Sequence, residues 1–191
     1  MDVIINRIIN VWKRYGLLKD DEDIYIFGIK LFISESASFL TVCILSVTFN
    51  RGLNGILYLA SFATLRKYCG GYHAKTYISC YMSFVLIYML SEVISRFIVP
   101  STAICLFIFS SVIIFLIAPV DTKQKRISYN HRRKAKEIVR MELIVLFIFE
   151  ILLADFQASL SVTLSMVLTI NAILLLIQYI LNLEDKKNEK I

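Results

Sequence analysis

Six stretches of this chain are apolar for long enough to read as membrane-spanning helices, and that pattern limits the fold more than any other feature. A spanning helix needs about 20 mainly apolar residues, with a tolerance of roughly 17–25. The runs are Leu31–Phe49, Gly52–Leu65, Tyr77–Ile98, Thr102–Ala118, Ile138–Ala154 and Ala158–Leu183. Pro100 and Pro119 bracket the fourth, as expected at helix boundaries, because proline lacks an N–H and restricts the residue before it. The second run is short, so a re-entrant or tilted path is its alternative. Hydrophobic residues make up 58% of the chain, against roughly 45–50% in soluble domains. With mean hydropathy of +0.69, a 22.0 kDa protein has too little interior to bury that surface. Intrinsic disorder and a separate soluble catalytic domain are excluded. A barrel needs strictly alternating strands of about ten residues, and these runs are continuous. The expected fold is all-α: one domain over residues 1–191, a polytopic membrane bundle of about six segments.

Charge orients the bundle. Lys and Arg collect on cytoplasmic loops. With the N-terminus inside and six crossings, 19 of the 21 basic residues fall on the cytoplasmic side. Arg51 and Arg96 are the exceptions. Both termini are therefore expected in the cytoplasm of a multi-pass cell-membrane protein.

No secretory signal peptide is expected, since the first long apolar run follows the acidic stretch Asp20-Asp21-Glu22-Asp23. Before it, Ile4, Ile5, Ile8, Ile9, Trp12 and Tyr15 recur at helical spacing opposite polar residues. Residues 1–23 thus read as an amphipathic helix plus an acidic linker. The helix either lies in the membrane interface or packs on the bundle. Cys43 and Cys105 sit inside apolar runs as small hydrophobes. Cys69 and Cys80 fall on the reducing side, which argues against a disulfide.

The segment from Arg66 to Cys80 carries the chemistry. It holds Gly70, Gly71, His73 and two thiols at a membrane boundary. Paired glycines break a helix. A cysteine nucleophile needs an imidazole within hydrogen-bond reach. On one straight helix, His73 and Cys80 would stand about 10.5 Å apart along the axis, too far for a dyad. If they act together, the chain turns between Ala74 and Ser79, and Cys80 begins the next helix, whose N-terminus favours a thiolate. Cys69 is the rival nucleophile, four residues before His73, but the glycines interrupt its helix. An incidental His–Cys pair is the bland alternative. Zinc is disfavoured, because a structural site wants four ligands and His131 lies among basic residues. No metal and no cofactor are expected.

Arg66, Gly71, the His73-Ala74 pair and a cysteine seven positions after the histidine resemble the signature of the accessory gene regulator B (AgrB) family of membrane-embedded cysteine peptidases. Ala118-Pro119 and Thr122-Lys123-Gln124-Lys125 form a second match at the expected distance, although family members often carry proline where Arg126 stands. The resemblance covers essentially the whole chain. It implies an endopeptidase that cuts an AgrD-like pheromone precursor on its C-terminal side and supports cyclisation to a thiolactone autoinducer for quorum sensing. Carried over by residue, Cys80 is the nucleophile and His73 its base, with Arg66 and Gly71 in supporting positions of unassigned role. Glu35 and Glu92 are candidates for a third member, or pair with Lys30 or Arg96.

Residues 121–140 read as a basic cytoplasmic loop with eight positive charges. Its bland role is orientation and attraction to anionic lipid. The family adds a sharper one: Lys123, Lys125, Arg126, Arg132, Arg133 and Lys134 would dock an acidic C-terminal tail of the precursor. Nucleic acid is a poor partner for a bilayer-tethered segment with few aromatics. A homodimer is the expected assembly from experience with membrane peptidases of this size. Two rivals stand beside the peptidase: a small transporter or channel built on Glu35, Glu92 and Glu150, with helices broken around those acids, and a non-catalytic membrane adaptor.

Overall fold

The computed structural model describes residues 7, 9, 11–15, 22–71, 76–121 and 129–188. Six long helices account for most of them: α1 (Glu22–Thr48), α2 (Gly52–Cys69), α3 (Tyr77–Ser95), α4 (Pro100–Ile117), α5 (Tyr129–Phe156) and α6 (Ala158–Asn188). Each apolar run falls on one of them, and no strand occurs among the described residues. Pro100 takes the first turn of α4, where its missing N–H costs nothing, and Pro119 follows the α4 end.

Two helix starts differ from the sequence reading. Helix α1 begins at Glu22, inside the segment read as an acidic linker. Acidic residues suit a helix N-terminus, where the macrodipole is positive. Helix α5 begins at Tyr129, so Arg132 to Arg140 are helical rather than loop. Arg, Lys and Glu are good helix formers, and Arg133 Nε donates to Glu137 Oε1 one turn on, at 3.4 Å. Charge alone hid the helix in both places. The short second run belongs to the unbroken 18-residue α2, about 27 Å long.

Helix ends gather at two poles. At the first, Val120 N–H donates to Cys69 O at 3.0 Å and Asn182 Nδ2 to Asp121 O at 2.8 Å. This joins the ends of α2, α4 and α6. At the far pole, Arg51 Nη1 donates to Glu92 Oε2 at 3.2 Å and to Ser95 Oγ at 3.1 Å. Asn54 Nδ2 there reaches Ser159 O at 3.0 Å and Thr163 Oγ1 at 2.7 Å. Successive helices therefore alternate in direction. Helix α1 meets α2 closely where Ser46 faces Gly55; a Cβ on that glycine would stand 2.3 Å from the serine Cβ.

Helix α6 is the axis of the bundle: 61% of its apolar window is buried, against 18% for α1 and 22% for α3 and α4. Outward faces are apolar, with Ile108, Phe109, Val112 and Leu116 exposed on α4 and Met141, Ile144, Val145 and Ile148 on α5. Such surface belongs in lipid, not water. Among the described residues, α1, α3, α4 and α6 are long and apolar enough to cross a membrane. The N-terminal helical residues pack on this bundle at two points: Ile9 is buried, and the Trp12 ring meets Tyr25 edge-on at 6.1 Å. The fold is an all-α membrane bundle.

Candidate active site

The first pole is built where α2 stops. Gly70 and Gly71 take φ of +75° and +120°, a region that side chains rarely enter. A Cβ on Gly70 would lie 2.4 Å from Val120 O. Without one, Gly70 pairs with Val120 in a short parallel bridge. Arg66 folds back over this turn and donates from Nη1 to Gly70 O at 3.1 Å. A Cβ on Gly71 would fall 2.2 Å from that same Nη1. Arg66 and Gly71 thus form one fitted unit, the guanidinium filling space that the glycine leaves.

The chain re-enters the bundle at Thr76, whose backbone is extended. Its Oγ1 accepts from Ser79 N–H at 3.1 Å and its carbonyl from Cys80 N–H at 2.9 Å, an N-cap for α3. Cys80 is therefore in the first turn of α3, half-buried. No continuous helix joins position 73 to Cys80, because α2 ends at Cys69 and Thr76 is not helical.

Charges converge on this turn. Those of Arg66 on α2 and Glu35 on α1 both reach the Cys80 thiol. Burial pushes the Arg66 guanidinium down to about 10, and the Cys80 and then Cys69 thiols pull it back up. Among the described residues no carboxylate pairs with Arg66. Cys69 has a different character. It is 2% exposed, and burial, with the Glu142 carboxylate adding, raises its thiol to about 12 against the pull of Arg66. Of the two thiols, Cys80 is the accessible one.

The other residues singled out from sequence divide clearly. Glu92 lies at the far pole, bonded to Arg51 and about 18 Å along α3 from Cys80. Glu35 is exposed on α1, on the Cys80 side. Arg132 pairs with Asp121 and Arg133 with Glu137, while Lys134 is exposed. His73, Lys123, Lys125 and Arg126 lie outside the described residues. Helices α1, α3 and α5 run unbroken through Glu35, Glu92 and Glu150, unlike the discontinuous helices of a transporter core. Glu150 is buried and accepts from Ser161 Oγ at 2.7 Å and Ser165 Oγ at 3.0 Å. A cavity of about 440 Å³ lies at the far pole, lined in part by Arg51, Asn54, Gln157 and Ser159. Among the described residues no cluster of three His, Cys, Asp or Glu could hold a metal.

Sequence reasoning missed Glu142, whose carboxylate oxygens are buried near Thr64 of α2. Its signal was an acid inside the fifth apolar run. It also missed Val120, which touches the site through its backbone alone.

The accessory gene regulator B family model matches residues 5–181. The chain belongs to the accessory gene regulator B family. A curated relative from Clostridium perfringens (strain 13 / Type A), "Putative AgrB-like protein 2", is 26% identical over 141 residues, covering 67% of this chain and 64% of its own length. A second curated relative, "Putative AgrB-like protein" of Clostridium perfringens (strain SM101 / Type A), is 27% identical over the same share. The chain thus spans somewhat under two thirds of these relatives. No solved structure matches. The two sequence segments that resemble the family, one ending at Cys80 and the other opening at Ala118-Pro119, are the two that the Gly70–Val120 bridge draws together.

Proposed function

We propose that this AgrB family member is a membrane cysteine endopeptidase that processes an AgrD-like precursor, with Cys80 as nucleophile and His73 as its base. The supporting observation is the placement of Cys80: a half-buried thiol in the first turn of α3, set opposite Arg66 by the Tyr58–Tyr88 and Phe62–Phe84 ring contacts that fix the α2–α3 register. A thiolate is favoured by a helix N-terminus and by a nearby cation.

The chemistry follows from that thiol. Its sulfur attacks the scissile carbonyl, the C–N bond breaks, and the leaving amine takes the proton that His73 removed from the thiol. The acyl group stays on Cys80 as a thioester. A thiol within the peptide then attacks this carbonyl, the C–S bond to Cys80 breaks, and the attacking thiol's proton passes by way of His73 to the departing Cys80 sulfur, leaving a thiolactone. A site at the edge of the bilayer keeps water from the thioester. The first pole faces the cytoplasm in this reading, since it carries Arg66, Lys67 and the basic start of α5. There Arg132, Arg133 and Lys134, with Lys123, Lys125 and Arg126, attract anionic lipid and the acidic tail of the precursor.

The deciding experiment reconstitutes the protein in vesicles with its precursor and compares wild type, Cys80→Ala and Cys80→Ser. Cleavage and a trapped acyl-enzyme are expected for wild type alone, apart from residual turnover by the serine variant. Undiminished cleavage by Cys80→Ala removes the peptidase assignment.

A further inference from the structure

We infer that Arg66 is the electrostatic partner of Cys80, a cation held ready for the anionic sulfur by the backbone of the Gly70-Gly71 turn. The inference deepens the peptidase reading and rests on it for what the sulfur does next.

Three observations converge on the guanidinium. It is half-buried, yet no carboxylate neutralises it among the described residues. Buried arginines are ordinarily paired, because an unpaired charge out of water is costly. Its position is not left to side-chain freedom, since Nη1 is tied to Gly70 O at 3.1 Å. The turn beneath it is shaped to admit it, for any side chain at position 71 would start 2.2 Å from Nη1. Among the described residues one carbonyl accounts for one N–H of five, which leaves the fork able to receive an anion. Between α2 and α3, Tyr58 meets Tyr88 and Phe62 meets Phe84 edge-on with ring centroids 5.0 Å apart, and one turn further the same antiparallel register sets Arg66 opposite Cys80. Among the described residues, the Cys80 and Cys69 thiols are the acidic groups that act on the guanidinium. Cys69 is shut away beside Glu142, which opposes a second negative charge there. Cys80 remains as the sulfur that can carry charge. The exposed Glu35 of α1 opposes that charge, and Arg66 offsets it. Arg66 is thus a positioning residue acting through Cys80.

The test needs no precursor. Cys80 is the single thiol left in a background with Cys43, Cys69 and Cys105 replaced by alanine or serine, and its alkylation by iodoacetamide is timed across pH in detergent. Near neutral pH, Arg66→Ala is expected to slow alkylation about tenfold, with the two rates converging at strongly alkaline pH, where every thiol is ionised. Arg66→Lys should recover part of the loss, since it keeps the charge but not the fork. Gly71→Ala leaves both partners in place and displaces the guanidinium; it should slow alkylation as well, and add little on top of Arg66→Ala. Size-exclusion profiles identify variants that fail to fold, and Gly71→Ala and Arg66→Lys then carry the test. Equal neutral-pH rates in wild type and the folded variants overturn the pairing, while the cleavage comparison with Cys80→Ala stands or falls separately.

Discussion

Cys69 and Val120 are 51 positions apart, yet the main chain joins them: Val120 N–H donates to Cys69 O at 3.0 Å. The helix bearing Arg66 therefore ends against the connector that leads to the basic start of α5. A disturbance on one side of this seam reaches the other through backbone rather than side chains.

Gly70 is where the seam is most easily opened. Gly70→Ala sets a Cβ against Val120 O at a φ of +75°, and a destabilisation of about 1–3 kcal/mol is expected. Gly28→Ala, in α1 with nothing within 4 Å of an added Cβ, should be neutral or stabilising by up to about 1 kcal/mol. Thermal unfolding of both in detergent checks the contrast; equal shifts would remove the special role given to the turn.

The N-cap of α3 should matter to Cys80 in particular. Thr76→Ala removes the acceptor for Ser79 N–H and is expected to cost about 0.5–2 kcal/mol, while Thr76→Ser retains most of it. Faster hydrogen exchange in the first turn of α3, confined to the alanine variant, is the signature to seek.

Glu92 separates stability from chemistry. Glu92→Gln deprives Arg51 of its anion in a largely buried pair and should destabilise by about 2 kcal/mol or more. Cleavage per folded molecule should stay unchanged, since the pair lies at the far pole. If turnover vanished in a well-folded variant, Glu92 would have to be readmitted as a third site residue.

Alkali should weaken the fold through Cys69. Its thiol holds a proton to about 12 in the fold, against 9.0 ordinarily. Between those values the folded state binds more protons than the unfolded one, so this contribution is whole below about pH 9 and fades as pH rises. Stability measured from pH 8 upward should fall less steeply in Cys69→Ala than in wild type. Parallel curves would show that the thiol is not the group responsible.

The basic start of α5 is testable by salt. Neutralising Arg132, Arg133 and Lys134 together should raise KM for a precursor with an acidic tail several-fold at low ionic strength and much less at high. The ion pairs of Arg132 with Asp121 and Arg133 with Glu137 are exposed, so little stability should be lost. A KM that ignores both charge and salt would leave only the lipid role.

The six helices were legible because long apolar runs have few other ways to fold. The starts of α1 and α5 were not, since Glu22, Arg132 and Lys136 are as compatible with a loop as with a helix rising beyond an apolar core. The helix break before Cys80 could be read from Gly70 and Gly71, but what those glycines accommodate could not. The fit of Gly71 to Arg66 is a tertiary contact without a periodic pattern, and the Cys69–Val120 hydrogen bond involves no side chain at all. Glu92 misled for a related reason: an acid in an apolar run marks a polar partner without naming it, and here that partner is Arg51.

Helix α6 has 31 residues and so extends for about 46 Å, well beyond the roughly 30 Å of a hydrocarbon core. It is anchored to α2 near one extremity by Asn54 and to the connector after α4 near the other by Asn182. A rod fixed at both places cannot shorten when the surrounding lipid thins; it tilts, and the turn holding Cys80 tilts with it. Under the proposed peptidase function, the depth at which a peptide meets the sulfur is thereby tied to bilayer thickness, and acyl-chain length becomes a variable of the reaction as much as of the solvent.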